Sequence, residues 1–129
     1  MTSTGVPVAV LTQIEGQSVV RTPCGAIAAV SGGVALGEVD VVLDPGHGGL
    51  VDPGAVSPTG LVEAELNLRV VEATLAELSQ RGITAASTRS GNYLTTLQVR
   101  SLFADDLGAQ LMVSIHHNAP TSLESETPG

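Results

Sequence analysis

Short apolar runs without polar alternation recur along the chain and predict a series of buried strands. They lie at 39–43 (VDVVL), 83–88 (ITAAST) and 111–115 (LMVSI). Aliphatic and β-branched runs of this length are typical of strands that a parallel sheet buries on both faces. The pattern therefore predicts a sheet whose strands are joined by longer connections.

Two segments between these runs have the spacing of amphipathic helices. In the first, apolar residues recur every three or four positions and share one helix face. They are Leu61, Ala64, Leu68, Val71, Leu75 and Leu78. Arg81-Gly82 supplies its stop signal, while Thr95, Gln98 and Gly108 are placed to cap the second helix. The order strand, helix, strand, helix, strand predicts an α/β fold with a parallel or mixed sheet covered by helices.

The first part of the chain, residues 1–38, differs in character from this alternation. Runs at 7–14 and 18–21 predict two short strands that form a hairpin, and 26–30 predicts a third. We expect residues 1–38 to form a small β-rich extension, or one that is poorly docked. Residues 39–129 then form the main domain.

Composition narrows the classes of function. The chain has 129 residues, which suits one domain, and 13 acidic against 5 basic residues give a net charge of -8. An acidic surface repels phosphate backbones and anionic lipids, which argues against nucleic-acid binding and membrane attachment. The single Cys24 cannot form an internal disulfide. No signal peptide follows Met1, and no apolar run is long enough to span a bilayer, so we expect no stable membrane insertion.

Histidines follow two of the predicted buried strands. His47 comes after the first strand of the main domain, and His116 after the last. Because parallel strands carry their sites at their carboxyl ends, these side chains can approach one another. Glu63, in the first turn of the first helix, is a third candidate for a zinc site with three protein ligands. Adjacent strand residues point to opposite faces, so at most one of His116 and His117 is a primary ligand.

Each of these residues also has an ordinary explanation. A histidine in a glycine-rich loop is commonly just a loop residue, and a glutamate in a first helical turn favours the helix dipole. Phosphate binding is excluded for the segment 44–49, which lacks the Gly-Lys-Ser/Thr ending of a P-loop and the spacing of a dinucleotide fingerprint. No serine has the context of a nucleophile elbow, and Cys24 lies outside the main domain. These patterns alone leave a metal site and an ordinary loop both open.

Five segments in sequence order carry a family resemblance: VVLDPGHGG, GLVEAELNL, STR, VRSLFADDLGAQ and VSIHHNA. From about Val39 to Ala119 the chain resembles the catalytic domain of the N-acetylmuramoyl-L-alanine amidases. The resemblance implies an α/β, three-layer fold of the amidase/phosphorylase-like kind, with a mixed, mostly parallel sheet flanked by helices. It also implies that residues 39–129 are the N-terminal part of that domain, so the fold is incomplete.

The resemblance further implies a ligand set and a reaction. Zn²⁺ is held by His47, Glu63 and His116, while His117 and Asn118 fall at candidate substrate-binding positions. The reaction is hydrolysis of the amide between N-acetylmuramic acid and L-alanine, in cell-wall turnover or cell separation. The implied partners are peptidoglycan or muropeptides, and the implied location is extracytoplasmic, in the cell wall or periplasm, although no signal peptide is visible.

The sequence departs from the family at its C-terminal end. The family's general base is a glutamate in a later segment, and Glu124 and Glu126 lack its context, so we assign the role to neither. Three explanations compete: a truncated amidase, one half of a split product completed by a second chain, or a degenerate amidase. A degenerate amidase of this kind binds zinc or peptidoglycan without turnover. We favour truncation and expect binding rather than hydrolysis from the isolated chain; a fragment without any site is the weaker alternative.

Overall fold

The structure is a computed structural model that describes residues 1–119, and within this range the chain forms six strands and two helices. In chain order they are β1 (Ala9–Ile14), β2 (Gln17–Arg21), β3 (Ile27–Val30), β4 (Val41–Pro45), α1 (Glu63–Gln80), β5 (Ala85–Ser87), α2 (Leu97–Leu107) and β6 (Leu111–Ile115). The predicted order of elements is confirmed.

The main sheet has the order β5-β4-β6, and both of its strand pairs are parallel in the described part of the chain. The connections β4-α1-β5 and β5-α2-β6 each contain a helix, as crossover connections between parallel strands of one sheet usually do. Strand β4 extends through Pro45, which pairs with Ile115, so it ends two residues later than the apolar run predicted. The carboxyl ends of β4 and β6 therefore lie side by side.

Both predicted helices are present, but each begins later than its pattern indicated. Leu61 precedes α1 and is exposed, because Val62 has extended backbone and the helix starts at Glu63. The cap of α2 is Thr96 rather than Thr95: the Thr96 hydroxyl accepts a backbone N–H from the first turn. Neither helix in residues 1–119 has the length and apolar character needed to cross a membrane.

The sheet is covered on both faces at β4 and β5. The prediction that β6 is a buried strand is wrong: β6 lies at an edge of the described sheet, and its Leu111 and Val113 are exposed. Val42 and Ala86, neighbours in register, pack with Phe103 of α2 and Ala9 of β1 in one buried cluster. Leu43 points to the opposite face, as the next residue of a strand must. Helix α1 contacts all three strands of this sheet. The predicted architecture of a parallel sheet flanked by helices is confirmed.

Residues 1–38 contain a separate antiparallel sheet of order β1-β2-β3. This sheet is docked on the main domain: Arg21 Nε lies 3.0 Å from Asp106 Oδ2 of α2, and Ser90 Oγ donates to the Gly5 carbonyl at 2.6 Å. Val20 is fully buried. Residues 1–38 thus contain a small antiparallel sheet that contacts α2 and the segment after β5.

Candidate metal centre

The three residues that the sequence analysis named as ligands meet at one edge of the main sheet. His47 lies just beyond β4, His116 follows β6, and Glu63 is the first residue of α1. One ligand atom from each of the three lies within 4.8 Å of the other two. Parallel pairing of β4 with β6 produces this convergence, because it places the two strand ends side by side.

Each of the two histidines approaches the Glu63 carboxylate at a distance that suits a shared zinc ion. His47 Nε2 lies 3.5 Å from Glu63 Oε2, and His116 Nδ1 lies 3.2 Å from Glu63 Oε1. Tetrahedral ligands at the usual zinc distances stand about 3.3 Å apart. The two imidazole rings meet edge to face with centroids 4.7 Å apart. Two imidazole nitrogens and one carboxylate are a donor set found in catalytic zinc sites.

The backbone of His47 is in the left-handed region, with φ 62°, which non-glycine residues rarely adopt. The glycines that follow also have positive φ, 147° at Gly48 and 76° at Gly49. Such strain persists only where the surroundings hold it. Arg100 Nη2 donates to the His47 carbonyl at 2.7 Å, and the Gly48 N–H donates to the Asp52 carbonyl at 2.8 Å.

A fully buried arginine, Arg89, supports the same loop and was not singled out from the sequence. Its guanidinium donates to the carbonyls of Pro45 at 2.9 Å, Gly46 at 3.1 Å and Ala64 at 2.7 Å. Burial lowers the pKa of Arg89, and the nearby charge of Arg100 lowers it further. The arginine thus joins the end of β4 to the first turn of α1, which carries Glu63.

A second buried arginine, Arg100 of α2, was also missed. Its Nη1 lies 2.6 Å from Asp44 Oδ1 and donates to the Pro45 carbonyl at 2.8 Å, while Nε donates to the Thr95 carbonyl at 2.9 Å. With its bond to the His47 carbonyl, Arg100 binds the Asp44 carboxylate and the Pro45 and His47 carbonyls around the end of β4. Two guanidinium groups therefore clamp the loop that presents His47.

Glu63 is held in an ionised state by the backbone around it. Burial alone would raise its pKa, but N–H groups of Ala55, Asn118 and His117 donate to the carboxylate at 2.9, 3.2 and 3.1 Å. Together with the nearby His47, these bonds lower the pKa of Glu63 to about 2. The carboxylate is therefore charged and oriented at neutral pH.

His117 lies outside the ligand group. Its Nδ1 is 2.7 Å from Asn67 Oδ1, while Asn67 Nδ2 donates to the Gly46 carbonyl at 3.1 Å. Since the Asn67 oxygen can only accept, the proton of the His117 pair lies on Nδ1. This ring is turned towards α1, and the expectation that only one of the adjacent histidines is a ligand stays a prediction. Substrate binding by His117 and Asn118 stays a prediction.

Two glycines leave room for the ligand side chains. A Cβ on Gly46 would overlap the imidazole of His116. Gly54 has φ 70°, and a Cβ there would lie 2.6 Å from His47 Cδ2 and 2.8 Å from Glu63 Oε2. Glycine at these positions therefore follows from the close approach of the three side chains.

The sequence of this chain is similar to those of one family of known proteins. Residues 41–126 match the sequence model of the family described as N-acetylmuramoyl-L-alanine amidase. The chain is 40% identical over 86 residues to the amidase AmiA of Escherichia coli, covering 67% of this chain and 29% of AmiA. It is 38% identical over 89 residues to the amidase AmiC of Neisseria meningitidis, covering 69% of this chain and 21% of AmiC.

A solved structure supports the fold as well. The amidase AmiC2 of Nostoc punctiforme superposes with a TM-score of 0.62 at 38% identity, covering 68% of this chain and 48% of that one. The chain thus spans less than a third of the two curated relatives and about half of the solved structure. With the family match extending over most of its length, the chain belongs to the N-acetylmuramoyl-L-alanine amidase family.

Proposed function

We propose that this chain is the metal-holding part of a zinc-dependent N-acetylmuramoyl-L-alanine amidase that acts on peptidoglycan outside the cytoplasmic membrane. The observation that carries the proposal is the convergence of His47, Glu63 and His116 within 4.8 Å. Family membership supplies the reaction, which is hydrolysis of the amide between N-acetylmuramic acid and L-alanine. We also propose that the domain boundary lies near residue 38.

The ligand set suits this chemistry. Zinc, when bound, supplies Lewis-acid chemistry that polarises a carbonyl group and makes water more acidic. One carboxylate and two neutral imidazoles neutralise only half the charge of a divalent ion, so the site keeps a positive charge for a substrate oxygen that gains negative charge. Glu63 is ionised before any ion arrives, because backbone N–H groups stabilise its charged form.

His117 and Asn118 are proposed to contact the substrate. Both are exposed and directly follow His116 at the same sheet edge. Because the proton on His117 Nδ1 is directed at Asn67, Nε2 is left as an acceptor. An acceptor of this kind suits the N–H of a peptide stem. The general base, which the resemblance places beyond residue 119, stays a prediction.

Zinc content tests the ligand assignment. The 129-residue chain is loaded with zinc, dialysed and analysed for metal by mass spectrometry; we expect one zinc per chain. His47→Ala should reduce this value to near zero, whereas His117→Ala is the matched control and should retain the ion. Unchanged zinc content in His47→Ala would refute the assignment.

The reaction itself is tested on the product of the complete reading frame. The zinc-loaded protein is incubated with muropeptides, and mass spectrometry follows the products. We expect free stem peptides that begin with L-alanine, together with intact saccharide. Cleavage of a glycosidic bond, or cleavage that persists in Glu63→Gln, would contradict the proposed function.

A further inference from the structure

One carboxylate beside the ligand group has no role in the proposed function. Asp52 Oδ1 lies 2.6 Å from His47 Nδ1, on the side of the ring opposite Glu63. An ionised carboxylate can only accept a hydrogen bond, so the shared proton lies on Nδ1. The other ring nitrogen, Nε2, is then unprotonated, and it is the atom that lies 3.5 Å from Glu63 Oε2.

The backbone that carries Asp52 is fixed on both sides. The Asp52 carbonyl accepts from the Gly48 N–H at 2.8 Å, which ties it to the His47 loop. The next carbonyl, of Pro53, accepts from the Ala64 N–H at 3.0 Å, which ties it to the first turn of α1. Asp52 is therefore placed against His47 by backbone bonds, although its side chain is 45% exposed.

We propose that Asp52 is a positioning residue for the metal centre. Its carboxylate selects the tautomer of His47 that leaves Nε2 free, and it fixes the orientation of the ring towards the other two ligands. This inference rests on the proposed function, because it takes His47 as a ligand. An exposed His–Asp pair by itself contributes little to stability, but a carboxylate behind a metal-bound histidine changes metal affinity by about 10- to 100-fold.

The test compares zinc affinity among variants of the full 129-residue chain, by competition with a chromophoric chelator. Asp52→Ala should raise the zinc Kd by about 10- to 100-fold. Asp52→Asn should raise the Kd less than Asp52→Ala does, because its amide oxygen can still accept from Nδ1. Part of the loss should remain, because the amide carries no charge. Glu77→Ala is the matched control: it removes an ion pair of the same 2.6 Å length, with Arg81, on the exposed face of α1, and should leave the Kd unchanged.

Two further measurements separate positioning from a structural role. Urea unfolding of the metal-free chain should give the same midpoint for Asp52→Ala and the parent chain. Cobalt(II) substituted for zinc should show a changed visible absorption spectrum in Asp52→Ala, because the orientation of one ligand has altered. If Asp52→Ala lowers the stability of the metal-free chain by as much free energy as it lowers zinc binding, Asp52 is a structural residue and the proposal is overturned.

The outcomes also distinguish failure of this inference from failure of the proposed function. If the parent chain binds no zinc, or if His47→Ala binds it normally, the proposed metal centre itself is wrong. If the parent chain binds zinc and His47→Ala does not, the centre stands. Asp52→Ala with a Kd within twofold of the parent and an unchanged cobalt spectrum then overturns the role of Asp52 alone.

Discussion

The buried ion pair between Arg100 and Asp44 tests how the loop before α1 is held. Its N–O distance is 2.6 Å, and the two side chains are 4% and 7% exposed. The pair between Arg81 and Glu77 has the same 2.6 Å distance, but its side chains are 68% and 55% exposed. The two pairs have the same chemistry and length and differ in burial, so the second is a control for the first.

Replacing Arg100 with Met keeps much of the apolar stem and removes the charge. Removal of one partner from a buried pair costs about 3–5 kcal/mol, because the remaining carboxylate stays buried without its counter-charge. Three backbone carbonyls also lose a donor from Arg100, which adds to the loss. Arg81→Met should cost less than about 1 kcal/mol, since water solvates both groups of an exposed pair.

Urea unfolding followed by circular dichroism, with a chelator present to remove metal, gives the free energy of unfolding for each variant. The double variant Asp44→Asn with Arg100→Met should be less destabilised than the sum of the two single variants. An asparagine there carries no charge, and its Oδ1 can still accept from the Thr88 hydroxyl, while its Nδ2 stands where Oδ2 was and can donate to the Ser114 hydroxyl. If Arg100→Met and Arg81→Met lose the same free energy, the reasoning about the buried pair is refuted.

Three further predictions concern the ligand side chains. Gly46→Ala should weaken zinc binding at least tenfold in a competition titration and should change the metal-free urea midpoint little. The reason is that the partly exposed His116 ring can turn away from the added Cβ. A loss of metal-free stability as large as the loss of zinc affinity would contradict this. Gly54→Ala should lower the free energy of unfolding by at least about 1 kcal/mol, because φ is 70° and the Cβ meets Glu63; an unchanged midpoint would contradict it. Although burial opposes it, backbone N–H groups lower the pKa of Glu63 from its usual 4.5 to about 2 in the folded chain, so the stabilisation from this carboxylate is complete above pH 4.5 and is lost as pH falls towards 2. Metal-free unfolding against pH should show this loss, and Glu63→Gln should remove it.

Much of the fold could be predicted from the local pattern of apolar and polar residues. The apolar runs identified β4, β5 and β6, because strands of a parallel sheet are rich in aliphatic residues without polar alternation. The run did not reveal that β6 lies at an edge of the described sheet with Leu111 and Val113 exposed. The positions of His47 and His116 after two such strands then predicted their convergence, since parallel pairing aligns carboxyl ends. The assignment of Glu63 depended on the family resemblance, because a glutamate in a first helical turn has an ordinary role there.

Other features could not be predicted because they depend on contacts between distant segments. The choice of Thr96 over Thr95 as the cap of α2 followed from burial of Thr95, which the capping-box spacing does not reveal. Arg89 and Arg100 were missed because a charged residue is ordinarily expected at the surface. One signal was present for Arg100: it adjoins Val99 and lies three residues before Phe103, both buried in α2.

The buried arginines and Asp52 act on the site in different ways, and the difference follows from what each one touches. The guanidinium of Arg100 binds the His47 carbonyl and holds a strained backbone in place, so the loop is organised during folding, before any ion binds. The Asp52 carboxylate binds the ring of His47 at an exposed position, and its removal should leave that backbone intact, because the Asp52 carbonyl still accepts from Gly48. Disruption of the arginine should therefore lower stability and zinc affinity together, whereas disruption of Asp52 should lower affinity alone. Side chains oriented in advance lose little freedom when they bind an ion, so the zinc affinity of the proposed centre should depend on contacts beyond its three candidate ligands.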